Sequence, residues 1–142
     1  MRQYETAHLV KGEDLNHHGT LFAARAAAWL VEAAFVAAGC ACGTTEGIVC
    51  RNLHDMSFQK PVHKGTILKF LARVVGTGKT SFQVAVRAVD ALEEKEYING
   101  LITFVTIDEN GSKRQHSIRL DEPSDEQETR ERKMAEDSIC RR

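Results

Sequence analysis

The sequence predicts an α+β fold in which an antiparallel sheet wraps around one long central helix. The first observation is that residues 20–38 are rich in good helix formers, above all alanine, and are apolar on nearly every side. The second is that residues 47–108 are rich in Val, Ile, Thr and Phe and are divided by turn signals. Because an apolar helix must be enclosed by other elements, a curved sheet around it satisfies both observations.

The bulk composition fits one soluble domain. The chain has 142 residues, of which 42% are hydrophobic and 27% are charged. Its net charge of −1 provides no overall field for nucleic acid or an anionic membrane, so we expect neither as a partner. We expect a core domain over residues 1–120 and a charged tail over residues 121–142, which lacks the apolar residues for a core of its own.

The strands are predicted from runs of β-branched and aromatic residues between turn signals. A short strand is predicted over residues 8–11, ahead of the turn that begins at Gly12. Four longer strands are predicted over residues 48–58, 66–75, 81–91 and 97–107. The connections between the last three are short, so those neighbours should pair antiparallel. A strand or extended segment is expected over residues 113–120.

The helix is expected to end at Gly39, since glycine is favoured just past the end of a helix. Residues 21–38 are about as long as a membrane-spanning segment, but Arg25 and Glu32 interrupt them. The pattern therefore predicts a buried helix of a soluble protein. In the tail, Glu–Arg pairs four residues apart indicate a solvated helix, and disorder is the alternative; a role in covering a ligand on a neighbouring subunit is a further possibility.

The cysteines predict neither a metal site nor disulfides. They show no CxxC pair and no metal-ligand spacing with the histidines, and they stand at Cys40, Cys42, Cys50 and Cys140. The first residues do not resemble a secretion signal. We therefore expect reduced thiols that act as small buried hydrophobic groups, and a cytoplasmic location.

Three stretches carry a family resemblance. Residues 14–24 read Asp-Leu-Asn-His-His-Gly-Thr-Leu-Phe-Ala-Ala, residues 55–65 read Asp-Met-Ser-Phe-Gln-Lys-Pro-Val-His-Lys-Gly, and residues 103–111 read Thr-Phe-Val-Thr-Ile-Asp-Glu-Asn-Gly. They resemble the loop before the helix, a strand with its turn, and the final core strand of hotdog-fold acyl-CoA thioesterases of the brain acyl-CoA hydrolase and YciA type. The resemblance implies a hotdog fold, acyl-CoA as substrate and no cofactor beyond the CoA of that substrate.

The first stretch suits thioester chemistry because negative charge must develop on a carbonyl oxygen during attack. The start of a helix offers unpaired N–H groups and a favourable dipole, so the amides from Gly19 to Ala23 are candidate oxyanion donors. The amide of Asn16 would bind the carbonyl or the attacking water. The alternative is that Asn16 or Asp14 only caps the helix.

A general base or nucleophile is also needed, and Glu32 is the only acid within the helix. The resemblance places the family's catalytic aspartate on Val31 and a commonly acidic neighbour on Glu32. A shift of one residue turns a side chain by about 100° around a helix, which the extra methylene of glutamate offsets only in part. The alternative for Glu32 is an ion pair with Arg25, seven residues earlier.

Histidines provide further candidate acid–base groups. His17 and His18 precede Gly19, and their ordinary pKa suits proton transfer near neutral pH. Because adjacent loop residues usually face different ways, at most one should point into a site, and His18 is the better candidate if Glu32 is misplaced. Solvated or capping roles are the alternative for both histidines.

Basic residues near strand ends are candidate contacts for the phosphates of CoA, and they comprise Arg51, Lys60, Lys64 and Lys79. The stretch Lys79, Thr80 and Ser81 also resembles a basic-hydroxyl stretch of the family. Each lysine alone is equally explained as surface charge. Two alanines, at residues 23 and 24, stand where the family has glycines, and the smaller space predicts a preference for short acyl chains.

The resemblance implies a site between subunits, with Asn16 of one chain facing Glu32 of the partner subunit. A homodimer is then the minimum, and the family suggests a hexamer built as a trimer of dimers. One rival is a hotdog dehydratase or hydratase of acyl thioesters, which would use His18 with Glu32. A second rival is a non-catalytic acyl-CoA-binding module, for which Val31 is the argument.

Overall fold

The computed structural model describes residues 1–140 as a five-stranded antiparallel sheet with one helix on each face. The strands are β1 (Tyr4–Leu9), β2 (Ile48–Phe58), β3 (Ile67–Thr77), β4 (Ser81–Asp90) and β5 (Glu96–Thr106). The helices are α1 (Ala23–Cys42) and α2 (Glu126–Cys140), and a single 3-10 turn covers Gly12–Asp14. Residues 141 and 142 of the predicted tail, and the side chain of Cys140, lie outside the described part.

The strand order β1-β3-β4-β5-β2 leaves β1 and β2 at the two edges of the sheet. The hairpins β3–β4 and β4–β5 are antiparallel, as the short connections predicted. Strand β2 lies at the edge opposite β1 and pairs antiparallel with β5, with register shifts between residues 50 and 52 and between residues 54 and 57. Residues 113–120 are extended after one isolated bridge between Ile107 and Lys113.

The core lies between α1 and the inner face of the sheet. Alternate residues of β3 and β4 point inward, so that Phe70 and Phe82 are fully buried against the helix side. Gly100 of β5 faces α1, and a Cβ there would stand 3.3 Å from Leu30. The missing side chain of Gly100 and the small alanines on the buried side of α1 let the helix lie close to the sheet.

The largest errors in the predicted bounds are at β1 and at the end of α1. Strand β1 spans Tyr4–Leu9 rather than residues 8–11, because alternate residues face the core and no continuous apolar run marks the strand. Helix α1 continues past Gly39 and ends at Gly43, whose φ of 77° is the left-handed conformation that glycine favours. Gly39 is needed for packing, since a Cβ there would stand 2.9 Å from the Cγ2 atom of Thr45.

The sheet wraps around α1 as predicted and leaves one side of the helix uncovered in the single chain. One side of the helix is buried, with Leu30 and Ala34 fully inaccessible. The opposite side is open in the single chain and presents a stripe of exposed residues at a spacing of four, namely Ala24, Ala28, Glu32, Val36 and Cys40. By length and composition α1 would pass as a membrane span, but its buried side makes it a core helix.

Helix α2 packs against the outer face of the sheet rather than standing in solvent. Arg73 of β3 is 4% exposed there, and its Nε atom lies 2.6 Å from the Oε1 atom of Glu131. Glu128 is fully buried and contacts Arg73, Arg132 and the amino group of Met1. The helix that was predicted to be solvated is therefore docked on the sheet. Glu128 and Arg132, four residues apart, pair with each other within a buried network of charges rather than on the surface.

The charges around Glu128 outweigh the effect of its burial. Burial alone raises the pKa of this carboxyl, but hydrogen bonds from the Met1 ammonium, from Ser124 and from Arg132 lower the pKa to about 2. The carboxylate is therefore ionised across the physiological range. Helix α2 is held to the sheet by charge pairs as well as by the contact of Ala135 with Val75, Ala85 and Leu101.

The described cysteines are not the buried hydrophobic groups that the sequence predicted. Cys40 is exposed, whereas Cys42 and Cys50 are partly buried and free. Partial burial raises the pKa of both the Cys42 and the Cys50 thiol, although the Arg114 charge opposes this for Cys42. Both thiols are therefore protonated at neutral pH, which argues against a nucleophilic role.

Candidate active site

A closed loop carries Asn16 in front of helix α1. The Asn16 Oδ1 atom accepts hydrogen bonds from the backbone amides of His18, at 2.8 Å, and Thr20, at 3.2 Å. The Asn16 Nδ2 atom donates to the Thr20 hydroxyl at 3.1 Å, and the Asn16 amide donates to the Thr20 carbonyl at 2.7 Å. The loop therefore fixes the side chain of Asn16. Within residues 1–140, one of its two Nδ2–H groups makes no hydrogen bond.

The N-terminus of α1 is not capped by a side chain. The N-cap residue is Phe22, so the alternative roles of Asn16 and Asp14 as caps are wrong. Of the predicted oxyanion donors, the amides of residues 19–22 are already used within the fold. Among residues 1–140 the amide of Ala23 makes no hydrogen bond, and the first helical turn leaves further amides unpaired.

Asp14 and Arg25 tie the loop to the first turn of the helix. Asp14 is 3% exposed, its Oδ2 atom accepts from the Lys11 amide at 2.9 Å, and its carbonyl accepts from the Phe22 amide at 2.9 Å. The Nε atom of Arg25 lies 3.6 Å from Asp14 Oδ1. Arg25 therefore pairs with Asp14, and the alternative pairing of Arg25 with Glu32 is wrong.

His17 and His18 are both exposed at the tip of this loop. Their rings contact each other with centroids 3.9 Å apart, so the expectation that they face different ways is wrong. Gly19 follows with a φ of 82°, a left-handed conformation that allows the tight return to Thr20. Within one chain His18 contributes its backbone amide to the Asn16 loop rather than a buried imidazole.

A cavity of about 300 Å³ lies beside the loop. It is lined by Thr20, Leu21, Phe58, Gln59, Lys60, Pro61, Val62 and Ile98. Backbone contacts join the two stretches of the chain that line it, since the Leu21 amide donates to the Val62 carbonyl at 2.8 Å and Thr20 bridges to His63. The two sequence motifs thus meet in one apolar cleft that carries the cation of Lys60.

Glu32 lies on the open stripe of α1, away from the loop of its own chain. It stands nine residues after the first residue of the helix, which is about 14 Å along the axis. Val31 is partly buried and packs against the core, so it is the neighbour Glu32 that reaches the surface. A site that combines Asn16 with Glu32 therefore requires a second chain.

The basic candidates divide between the two ends of the sheet. Lys60 and Lys64 are exposed near the cavity, whereas Lys79, Thr80 and Ser81 form the β3–β4 turn at the far end. Strand β3 has eleven residues, so the two groups are about 35 Å apart along it. One chain does not bring them to a common ligand.

The sequence did not single out Thr20, although it bonds to Asn16 and lines the cavity. Its place six residues after a loop aspartate, Asp14, carries no recognisable signal, because the return of the loop depends on the φ of Gly19. No group of three His, Cys, Asp or Glu side chains that would hold a metal ion occurs in the described part of the chain.

The sequence of the chain matches a known class of protein. The family model of the thioesterase superfamily matches residues 18–96, more than half of the chain, so the protein belongs to the thioesterase superfamily. This confirms the predicted resemblance and the hotdog fold. No curated protein sequence matches the chain.

Solved structures agree with the fold. An acyl-CoA hydrolase from Staphylococcus aureus, in complex with butyryl-CoA, CoA and CoA disulfide, is 25% identical; the match covers 98% of this chain and 82% of that one, with a TM-score of 0.86. A hexameric acyl-CoA thioesterase is 26% identical over 94% of this chain and 85% of that one, with a TM-score of 0.81. An acyl-CoA hydrolase from Bacillus cereus, at 20% identity, covers 99% and 85% with a TM-score of 0.87 and shows the fold alone.

Variants of the Staphylococcus aureus protein with an asparagine or an aspartate replaced by alanine match equally well, and those two positions are fifteen residues apart. Whether Glu32 takes the place of such an aspartate in this chain stays a prediction.

Proposed function

We propose that the protein is an acyl-CoA thioesterase, which hydrolyses an acyl-CoA to the free acid and CoA at a site shared by two subunits. The observation that carries the proposal is the joining of the Asn16 loop, the unpaired Ala23 amide and an apolar cleft with Lys60 at one end of the sheet. Membership of the thioesterase superfamily and the acyl-CoA hydrolases among the structural relatives support it.

A second copy of the chain is proposed to complete the site. Strand β2 is an edge strand with Val49, Leu53 and Phe58 exposed, and the exposed stripe of α1 is apolar except for Glu32. An exposed apolar edge of this kind is protected in native proteins by pairing or covering. Packing of two such surfaces would bring Glu32 of one chain towards the loop of another. A hexameric relative supports a hexamer, which we propose is built as a trimer of dimers.

In the proposed reaction Asn16 and the Ala23 amide stabilise the charge that develops on the thioester oxygen. Glu32 of the partner subunit acts as the base that takes a proton from water, whose oxygen bonds to the thioester carbon, or it bonds to that carbon itself as the nucleophile. The carbon–sulfur bond then breaks, and the CoA thiolate leaves and takes up a proton. In the nucleophilic route, water then hydrolyses the anhydride between Glu32 and the acyl group, which releases the free acid. Lys60 and Lys64 at the mouth of the cleft are proposed to bind CoA phosphates, and Lys79, Thr80 and Ser81 would do so only if the assembly brings a second chain's turn to the cleft.

The first test is a panel of acyl thioesters. We expect release of CoA from saturated acyl-CoAs, with the highest kcat/KM for short chains because Ala23 and Ala24 narrow the space at the helix start. Enoyl-CoA and 3-hydroxyacyl-CoA serve as parallel substrates for hydration and dehydration. Water addition without CoA release would support the dehydratase that uses His18, and binding of CoA without turnover of any thioester would support the binding module that Val31 suggests. A cytoplasmic location and the absence of a cofactor stay predictions.

A further inference from the structure

We propose that Thr20 is a positioning residue for Asn16, so that its hydroxyl and amide set the orientation in which the Asn16 side chain meets the substrate. The inference rests on the proposed function, because Asn16 is a catalytic group only if the protein hydrolyses a thioester. The inference is based on the hydrogen bonds of Thr20, which lines the cleft. Its hydroxyl accepts from the Nδ2 atom of Asn16, and its backbone amide donates to the Oδ1 atom of Asn16.

The bonds assign the two ends of the Asn16 amide. Backbone N–H groups only donate, so the atom that accepts from the His18 and Thr20 amides at 2.8 and 3.2 Å is the oxygen. The nitrogen then faces the Thr20 hydroxyl at 3.1 Å, which accepts one of its two protons. The acceptor end of Asn16 is therefore occupied by the loop, and the group that remains for the substrate is the second N–H.

Besides its bonds to Asn16, Thr20 is held by contacts with a second stretch of the chain, as a positioning residue must be. Its backbone bridges to His63, and the next amide, of Leu21, donates to the Val62 carbonyl at 2.8 Å. The segment that carries Pro61 and Val62 thus supports Thr20 from the side opposite to Asn16. A catalytic amide that is supported by a fixed second group loses little freedom when the charge develops on the substrate.

Removing the hydroxyl alone tests this. Thr20→Val keeps the shape of the side chain and the backbone bond to Oδ1, but it removes the acceptor of the Asn16 Nδ2 proton. We expect kcat for acyl-CoA hydrolysis to fall by about 10-fold with little change in KM, and Thr20→Ser to retain nearly the full kcat. Thr77→Val, at the exposed far end of β3, is the matched control and should leave kcat unchanged.

A double-mutant cycle separates positioning from a general loss of structure. In the Asn16→Ala background, Thr20→Val should have no further effect on kcat, because the group that it positions is gone. Multiplicative losses in the double variant, or an unchanged kcat in Thr20→Val, would overturn the inference. Thermal unfolding of each variant shows whether the loop change affects the whole fold.

Crystal structures of the native protein and of Thr20→Val give a second measurement that needs no turnover. The expected result is one side-chain orientation of Asn16 in the native protein and a displaced or divided orientation in the variant. If the native protein hydrolyses no acyl-CoA but Asn16 moves in the variant, the proposed function fails and the positioning stands. If the native protein hydrolyses acyl-CoA and Asn16 does not move in Thr20→Val, the positioning role of Thr20 is wrong and the proposed function stands.

Discussion

Glu32→Gln is expected to lower kcat for acyl-CoA hydrolysis by about 1,000-fold while KM changes little, in line with the loss of a general base or nucleophile. The amide keeps the size of the side chain but can neither accept a proton from water nor attack the thioester carbon. Glu32 is the only carboxylate on the open stripe of α1. Its neighbours on that stripe include Ala24, Ala28 and Val36, none of which could replace it as a base. Steady-state CoA release measures the effect.

Glu136→Gln is the control for this experiment, since Glu136 is an exposed carboxylate on the other helix. Its kcat should equal that of the native protein. If Glu32→Gln retained the native kcat, Glu32 would not replace the aspartate that the family places on Val31, even though the fold would stand. The cleft would then need another base, and His18 would be the first to examine.

Arg73→Met is expected to lower the free energy of unfolding by about 3 to 5 kcal/mol, the usual cost of removing one partner from a buried charge network. Arg73 lies between Glu128 and Glu131, both buried, and its loss leaves the Glu131 carboxylate without its closest cation. Methionine has a similar length but no charge. Urea unfolding at neutral pH and constant protein concentration measures the change.

Arg130→Met provides the matched comparison on helix α2. Arg130 is 65% exposed and its Nη1 atom lies 4.0 Å from the Oε2 atom of Glu126, which is itself 97% exposed. A surface pair of this kind contributes at most about 1 kcal/mol. A loss in Arg73→Met no larger than that in Arg130→Met would show that α2 is held by its apolar contacts alone.

The strands and the central helix could be predicted because their signals are local. The predicted strand over residues 48–58 matches β2 residue for residue, and β3, β4 and β5 were displaced by only one or two residues at their ends. The end of α1 was misplaced because a glycine can either end a helix or allow a close contact within it. Gly43 ends the helix, whereas Gly39 allows close packing against Thr45, and the sequence alone does not distinguish the two roles.

The docking of α2 could not be predicted, because its charged residues resemble those of a solvated helix. The partner of Glu131 is Arg73, which is 58 residues earlier in the chain, and no local pattern relates them. The same limit applies to the site. The motif around Asn16 was evident, whereas the pairing of Arg25 with Asp14 and the bonds of Thr20 depend on how the loop returns to the helix.

The central claim is that Asn16 and Glu32 act together across two chains, and mixing two inactive variants tests it most directly. Asn16→Ala and Glu32→Gln proteins are each nearly inactive if both groups are needed. When the two are unfolded together and refolded as an equal mixture, half of the dimers are mixed and each has one intact site. About one quarter of the native activity should return if subunits associate at random. If the mixture stayed as inactive as its components while forming mixed dimers, the site would lie within one chain and the account would be wrong.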